Sequence, residues 1–219
     1  MKKREKSVLE IKEELFERYS ILANCKEDIE KAFNCLCESY RKGGKLLVAG
    51  NGGSAADSEH IVGELMKSLL FFRKISPDLQ ENLVKHFGTD GNQLADKLEG
   101  ALPAIPLTSM PALTSAFAND VDATVSFAQM LYGYGSNRDV FLGITTSGNS
   151  PNIVYAFMVA KAIGMPSIAL TGENGGRCKE LADILIHVPE RETFKVQELH
   201  LPIYHALCAM LEAEFFEER

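Results

Sequence analysis

The hydrophobic rhythm of the chain changes near residue 44. Before that point Leu9, Ile11, Leu15, Phe16, Tyr19 and Leu22 approximate a helical stripe with Asn24 as its expected stop. Ile29, Phe33, Leu36 and Tyr40 carry a second stripe to Gly43-Gly44. Beyond it, short apolar runs at 45–49, 104–107, 139–144, 166–170 and 183–188 alternate with helical or irregular stretches. Continuous apolar runs of this length suit strands buried on both faces. A mostly parallel sheet covered by helices is therefore expected, with ligands bound beyond the C-terminal strand ends. The helices of 1–44 read as part of the same domain, covering the sheet or packing against another subunit.

One segment breaks the alternation. Residues 71–100 contain Pro77, the polar run Gly88-Thr89-Asp90-Gly91-Asn92 and two weak helical patterns, which is long for a connection in a compact α/β domain. They read as an insertion that either lids a site or packs on a neighbour, and the sequence leaves both open.

Composition narrows the function classes. With 46% hydrophobic and 24% charged residues in 219, the chain reads as a soluble globular protein with room for a full core. No apolar run is long enough to cross a bilayer, and the basic start Met1-Lys2-Lys3-Arg4-Glu5-Lys6 leads into a charged amphipathic helix rather than a signal segment. A cytoplasmic location and no membrane partner are expected. Cys25, Cys35, Cys37, Cys178 and Cys208 are odd in number and scattered, which speaks for free thiols and against a disulfide framework. A net charge of −7 argues against a nucleic-acid surface, although neutral donors and helix ends still suit a small anion.

Two loops carry that chemistry. Thr145-Thr146-Ser147-Gly148-Asn149-Ser150 joins an apolar run to an amphipathic stretch beginning near Asn152, where hydroxyls and unpaired helix N–H groups converge to hold a phosphate. Gly50-Asn51-Gly52-Gly53-Ser54 occupies the same kind of position earlier in the chain. With Ala55 it also satisfies a dinucleotide-binding pattern, but no second strand ending in an acid follows about 20 residues on. No phosphate-loop lysine follows either loop, so no nucleotide cofactor is expected.

Acid–base candidates lie nearby in the sequence. His60 and Glu64 are spaced i, i+4 on the helix that the first loop opens, so they share a face. Gln197 and His205 stand two turns apart on a C-terminal helix, about 80° around its axis, and can converge on one ligand. His86 and His187 lack such a context, and His200 sits on a different side of its helix from His205.

The ordered set Gly50-Asn51-Gly52-Gly53-Ser54, His60-x-x-x-Glu64, Ala118-Asn119-Asp120, Thr145 to Ser150, Leu170-Thr171-Gly172-x-x-Gly175-Gly176 and Gln197-Glu198-x-His200-x-x-x-x-His205 resembles the phosphoheptose (sedoheptulose 7-phosphate) isomerases of the SIS-domain superfamily. The likeness runs from about residue 40 to the C-terminus. It implies an α/β, flavodoxin-like three-layer sandwich with a five-stranded parallel sheet and an N-terminal helical extension, 45–219 being the SIS domain. It also implies a homotetramer, with a homodimer as the alternative, and active sites at subunit contacts. By the same resemblance, Ser54, Thr145, Ser147 and Ser150 bind phosphate and sugar hydroxyls, with Asn51, Gly52, Gly53, Asn119, Asp120, Thr146, Asn149 and Gln197 completing the substrate site. Glu64 and His205 match the acid/base pair. Some members bind zinc through residues matching His60, Glu64, Gln197 and His205, which implies one Zn2+ per subunit. The chain departs from the bacterial pattern in carrying Phe194, where an acidic residue usually stands three positions before the glutamine, and in the length of 71–100.

The implied reaction exchanges a 2-ketose phosphate and an aldose phosphate through an enediol. It needs a base for a carbon-bound proton, a group to move protons between two oxygens, and stabilisation of the enediolate. Glu64 suits the first role and His205 the second, with Gln197 polarising the carbonyl. Lys67, Arg73, Tyr132 and Lys195 are further contact candidates without an assigned place. The competing class is a non-catalytic SIS protein that binds a phosphosugar or a replication initiator, against which the retained Glu64, Gln197 and His205 argue. A sugar-sensing transcription regulator would need a DNA-binding domain for which the first 44 residues are too short and too acidic.

Overall fold

The computed structural model describes residues 6–216, so the basic start Met1–Glu5 and the last three positions lie outside the described residues. Eight α-helices are described: α1 (Val8–Arg18), α2 (Lys26–Arg41), α3 (Gly53–Met66), α4 (Pro77–Ala95), α5 (Pro111–Asp120), α6 (Ser126–Tyr134), α7 (Pro151–Ala162) and α8 (Thr193–Phe216). Five strands run between them: β1 (Leu46–Gly50), β2 (Ala104–Pro106), β3 (Val140–Thr145), β4 (Ser167–Thr171) and β5 (Ile184–His187). All pairings are parallel and the order is β2-β1-β3-β4-β5. This is the flavodoxin-like order, whose direction of winding reverses between β1 and β3.

The apolar runs form strands because both faces of the sheet are covered. Leu46, Val48, Val140, Leu142 and Ile144 point into a core closed by the N-terminal helices, α3 and α8, whereas Leu47, Ala49 and Phe141 point into a second core with α6 and α7. Successive side chains of one strand thus feed opposite cores, the period of two that a strand imposes. The β1–β3 register pairs Leu46 with Val140 and Gly50 with Ile144. Both strands therefore end side by side, and the two loops emerge together at the switch point.

The N-terminal segment is helical, with two local differences from the sequence pattern. A reciprocal cap between Ser7 and Glu10 starts α1. The helix then stops at Arg18 rather than at Asn24, because Tyr19 leaves helical geometry (φ −129°, ψ 66°) and Ser20–Cys25 tighten into a 3-10 turn. Ile11 and Leu15 are the buried side chains of α1, while Leu9 faces solvent, since a residue two positions from Ile11 lies on the opposite side. Within 71–100 the two weak helical patterns form α4, kinked at Gly88, with Leu79, Val84, Phe87 and Leu94 exposed.

Candidate functional site

The loop after β3 is built from the inside outward. Thr145 is buried at the strand end and its Oγ1 lies 3.1 Å from Ser150 Oγ, while Ser147 and Asn149 stand at the exposed rim. Asn149 shapes the turn: its backbone N–H donates to Ser147 Oγ (3.2 Å), its amide donates to Ser147 O (2.9 Å), and its Oδ1 accepts from the Arg177 N–H (3.0 Å). A further loop braces it from behind, with Gly172 N donating to Thr146 O (3.0 Å) and Cys178 N to Gly148 O (3.1 Å). Gly148 adopts φ +67°, and a Cβ there would come within 2.0 Å of Gly175 O, so only glycine lets these two loops close on each other.

The loop after β1 places Ser54 buried in the first turn of α3, with Asn51, Gly52 and Gly53 exposed. Gln197 on α8 lies against this turn, and a Cβ on Gly53 would sit 2.6 Å from its Nε2. The absence of a side chain at Gly53 is what admits the amide.

Along α3, away from the loop, three side chains converge. His60 Nε2 lies 3.2 Å from Glu64 Oε1 and 3.3 Å from His205 Nε2, and one donor atom from each of the three falls within 4.8 Å of the others. Glu64 is mostly buried (13% exposed) and its other oxygen accepts from Lys67 Nζ (3.3 Å). Ligands around a tetrahedral zinc with bonds of about 2.0–2.1 Å stand about 3.3 Å apart, which is the size of the two separations from His60. Two imidazoles and a carboxylate are also the donor set such a metal favours.

The electrostatics favour a neutral imidazole here. Burial lowers His205 below the ordinary histidine value, the nearby His60 ring adds to the effect, and Glu64 opposes it. Tyr204, itself buried, bridges α8 to α3: its hydroxyl lies 3.1 Å from His60 Nδ1 and donates to Asp57 Oδ1 (3.2 Å). Burial raises Asp57, with the Tyr204 hydrogen bond opposing, and burial also raises Tyr204.

The remaining candidates fall elsewhere. Asn119 and Asp120 stand exposed at the end of α5, bonded to each other (2.7 Å) rather than to either loop. Arg73 is fully buried. Its guanidinium donates to Glu212 Oε1 (2.7 Å), Leu65 O (2.7 Å) and Glu64 O (2.9 Å), which makes it a clamp on the end of α3 rather than a surface contact. Tyr132 is exposed, and Lys195 pairs with Glu192. His200, on α8, is fully buried. Burial pushes it down to about 4, with the Thr171 backbone opposing, and neither ring nitrogen has a hydrogen-bond partner of ordinary geometry.

Sequence reasoning missed three residues at this site: Asn152, which ties the two loops together, and Asp57 and Tyr204. Asp57 is one turn before His60 and Tyr204 is next to His205, so adjacency to the candidates was the one available signal.

The chain matches the SIS domain family over residues 14–82 and 81–172. It is 36% identical over 188 residues to a phosphoheptose isomerase from Burkholderia pseudomallei, spanning 86% of this chain and 82% of the relative. It is 34% identical over 214 residues to a phosphoheptose isomerase from Clostridium acetobutylicum, spanning 98% and 94%. The fold superposes on that of a phosphoheptose isomerase from Francisella tularensis with a TM-score of 0.69 at 31% identity, covering 84% of this chain and 85% of the other.

Proposed function

This chain belongs to the phosphoheptose isomerases of the SIS-domain family, and from that premise we propose that it interconverts D-sedoheptulose 7-phosphate and D-glycero-D-manno-heptose 7-phosphate through an enediol. The observation that carries the reading is the convergence of Glu64, His60 and His205 on α3 and α8, the helix α3 itself starting from the glycine-rich strand-end loop that lies next to the hydroxyl-rich one. An aldose–ketose isomerase must move one proton between adjacent carbons and another between their oxygens.

In this reading the phosphate rests on the Thr145–Ser150 loop and Ser54, where the N-termini of α3 and α7 add the positive ends of their dipoles. Glu64 removes the carbon-bound proton and returns it to the neighbouring carbon. A neutral His205 accepts the hydroxyl proton of one oxygen and delivers it to the other, and its lowered proton affinity suits that exchange. Gln197, held against Gly53, orients the sugar between the phosphate loop and the acid–base group. One Zn2+ per subunit would be held by His60, Glu64 and His205, where it would compete with the proton that His205 carries, and would supply polarisation of the carbonyl. Gln197, against Gly53, stands nearer the loop than this trio.

A homo-oligomer, in our reading a tetramer, is supported by the apolar side chains that α4 leaves in solvent, Phe87 at 65% exposed foremost. Free cysteines and the lack of any helix among the described residues long and apolar enough to cross a membrane favour a cytoplasmic place.

Solvent-deuterium exchange followed by NMR tests the reading. Incubation with sedoheptulose 7-phosphate and with shorter ketose phosphates, with and without added zinc, is expected to give deuterium incorporation and aldose formation fastest with the heptulose. A folded protein that exchanges none of these sugars would overturn it.

A further inference from the structure

The contacts of Tyr204 fix more than its own position. An ionised carboxylate only accepts hydrogen bonds, and a phenol has a single proton to give. That proton goes to Asp57 Oδ1 at 3.2 Å, so the phenol oxygen is left to accept from His60 Nδ1 at 3.1 Å. The ring edges of His60 and His205 pack against Tyr204 at centroid distances of 5.5 and 5.0 Å, and Tyr204 is 1% exposed, so the phenol has no room to turn away.

We propose that Asp57 and Tyr204 form a positioning relay that holds His60 as its Nδ1–H tautomer and turns the bare Nε2 onto Glu64 and His205. The alternative tautomer is the one a carboxylate neighbour would select unaided: Nε2–H would donate to Glu64 Oε1 across the observed 3.2 Å. That bond would engage the oxygen lone pair that a carbon base or a metal ligand needs. By assigning the His60 proton to the far nitrogen, the relay keeps Nε2, Glu64 Oε1 and the facing His205 nitrogen at 3.3 Å free to converge on a proton or a cation. Asp57 Oδ2 is buried without a hydrogen-bond partner, an arrangement that costs stability and is expected where orientation matters more. The consequence for catalysis rests on the isomerase reading above, whereas the tautomer itself does not.

The test uses the full-length protein with its five histidines labelled with 15N, His60 being assigned from the His60→Gln variant. Long-range 1H–15N correlation spectra are expected to show His60 protonated on Nδ1 and bare on Nε2. Tyr204→Phe removes the acceptor for that proton and should move His60 to the Nε2–H form, while Asp57→Asn, whose amide oxygen still accepts from the phenol, should retain the native tautomer. Zinc affinity, read by competition with a chromophoric chelator, should fall about 10- to 100-fold in Tyr204→Phe and much less in Asp57→Asn. A His60 that is Nε2-protonated in the unaltered protein, or a tautomer indifferent to Tyr204→Phe, overturns the relay. The native tautomer in a protein that exchanges no sugar proton would instead overturn the isomerase reading and leave the relay standing.

Discussion

Asn51 and Asn152 exchange two hydrogen bonds through their side-chain amides, 2.9 and 2.8 Å long, across the gap between the β1–α3 loop and the first turn of α7. Asn152 Oδ1 also accepts from the Ile153 N–H at 3.0 Å, so the clasp is rooted in the helix start. The two loops are consequently one structural unit at the sheet's switch point, and a phosphate held by one is positioned relative to the other.

Opening this clasp should weaken binding more than chemistry. Asn152→Ala removes both inter-loop bonds, and at about 1 kcal/mol for the net loss the KM for the sugar phosphate should rise about fivefold. The turnover number should change little, because the proton-transferring groups lie on α3 and α8. Steady-state kinetics decide this, and an unchanged KM would detach the clasp from phosphate binding.

The carbon base has a cleaner signature. Glu64→Gln preserves the shape of the side chain but removes its basicity, so exchange of the substrate carbon proton with solvent should fall by about 10²–10⁴-fold. Normal exchange in that variant, measured by NMR, would eliminate Glu64 from the role. His205→Asn should slow interconversion while leaving some carbon-proton exchange, since that step belongs to Glu64.

The Arg73–Glu212 pair makes a stability prediction. Both side chains are fully buried, and Glu212 also accepts from the backbone N–H groups of Leu69 and Leu70 at 2.7 Å each. Arg73→Met leaves that carboxylate unpaired and uncaps the Leu65 and Glu64 carbonyls, for an expected loss of about 3–5 kcal/mol. Adding Glu212→Gln removes the stranded charge and should recover a substantial part. Urea denaturation of the two variants checks the order, and equal stability would refute the stranded-charge account.

The contrast between what the sequence reveals and what it conceals follows from the range of the interactions. Each strand begins and ends within one residue of an apolar run, since burial on both faces leaves a local, continuous signal. The two loops were legible because glycine and hydroxyl residues cluster where strand gives way to helix. Arg73 was not legible. An arginine in a polar-looking segment reads as exposed, and only the return of α8 beneath it supplies Glu212 from 139 residues away. Asn152, Tyr204 and Asp57 are of the same kind: their partners are set by helix packing rather than by spacing along the chain. The i, i+4 pair His60 and Glu64 was visible, but the side of α8 that presents His205 to it rests on the tertiary fit of α3 against that helix.

Another side of α8 buries His200 near Thr171 at the end of β4, which makes the fold sensitive to acid. Its folded value of about 4 lies below the ordinary histidine value of about 6.5, so between the two the unfolded chain binds a proton that the folded chain refuses. Stability from this residue is therefore present in full above about pH 6.5 and is lost as the pH falls toward 4. Between pH 7.5 and 5 the loss should be about 2 kcal/mol from His200 alone. His200→Leu keeps an apolar side chain of similar size in the pocket without a titrating ring. Urea midpoints at both pH values and one protein concentration should show a smaller acid penalty in the variant by about that amount. An equal penalty in the two proteins would show that His200 is not the group that makes the fold acid-sensitive.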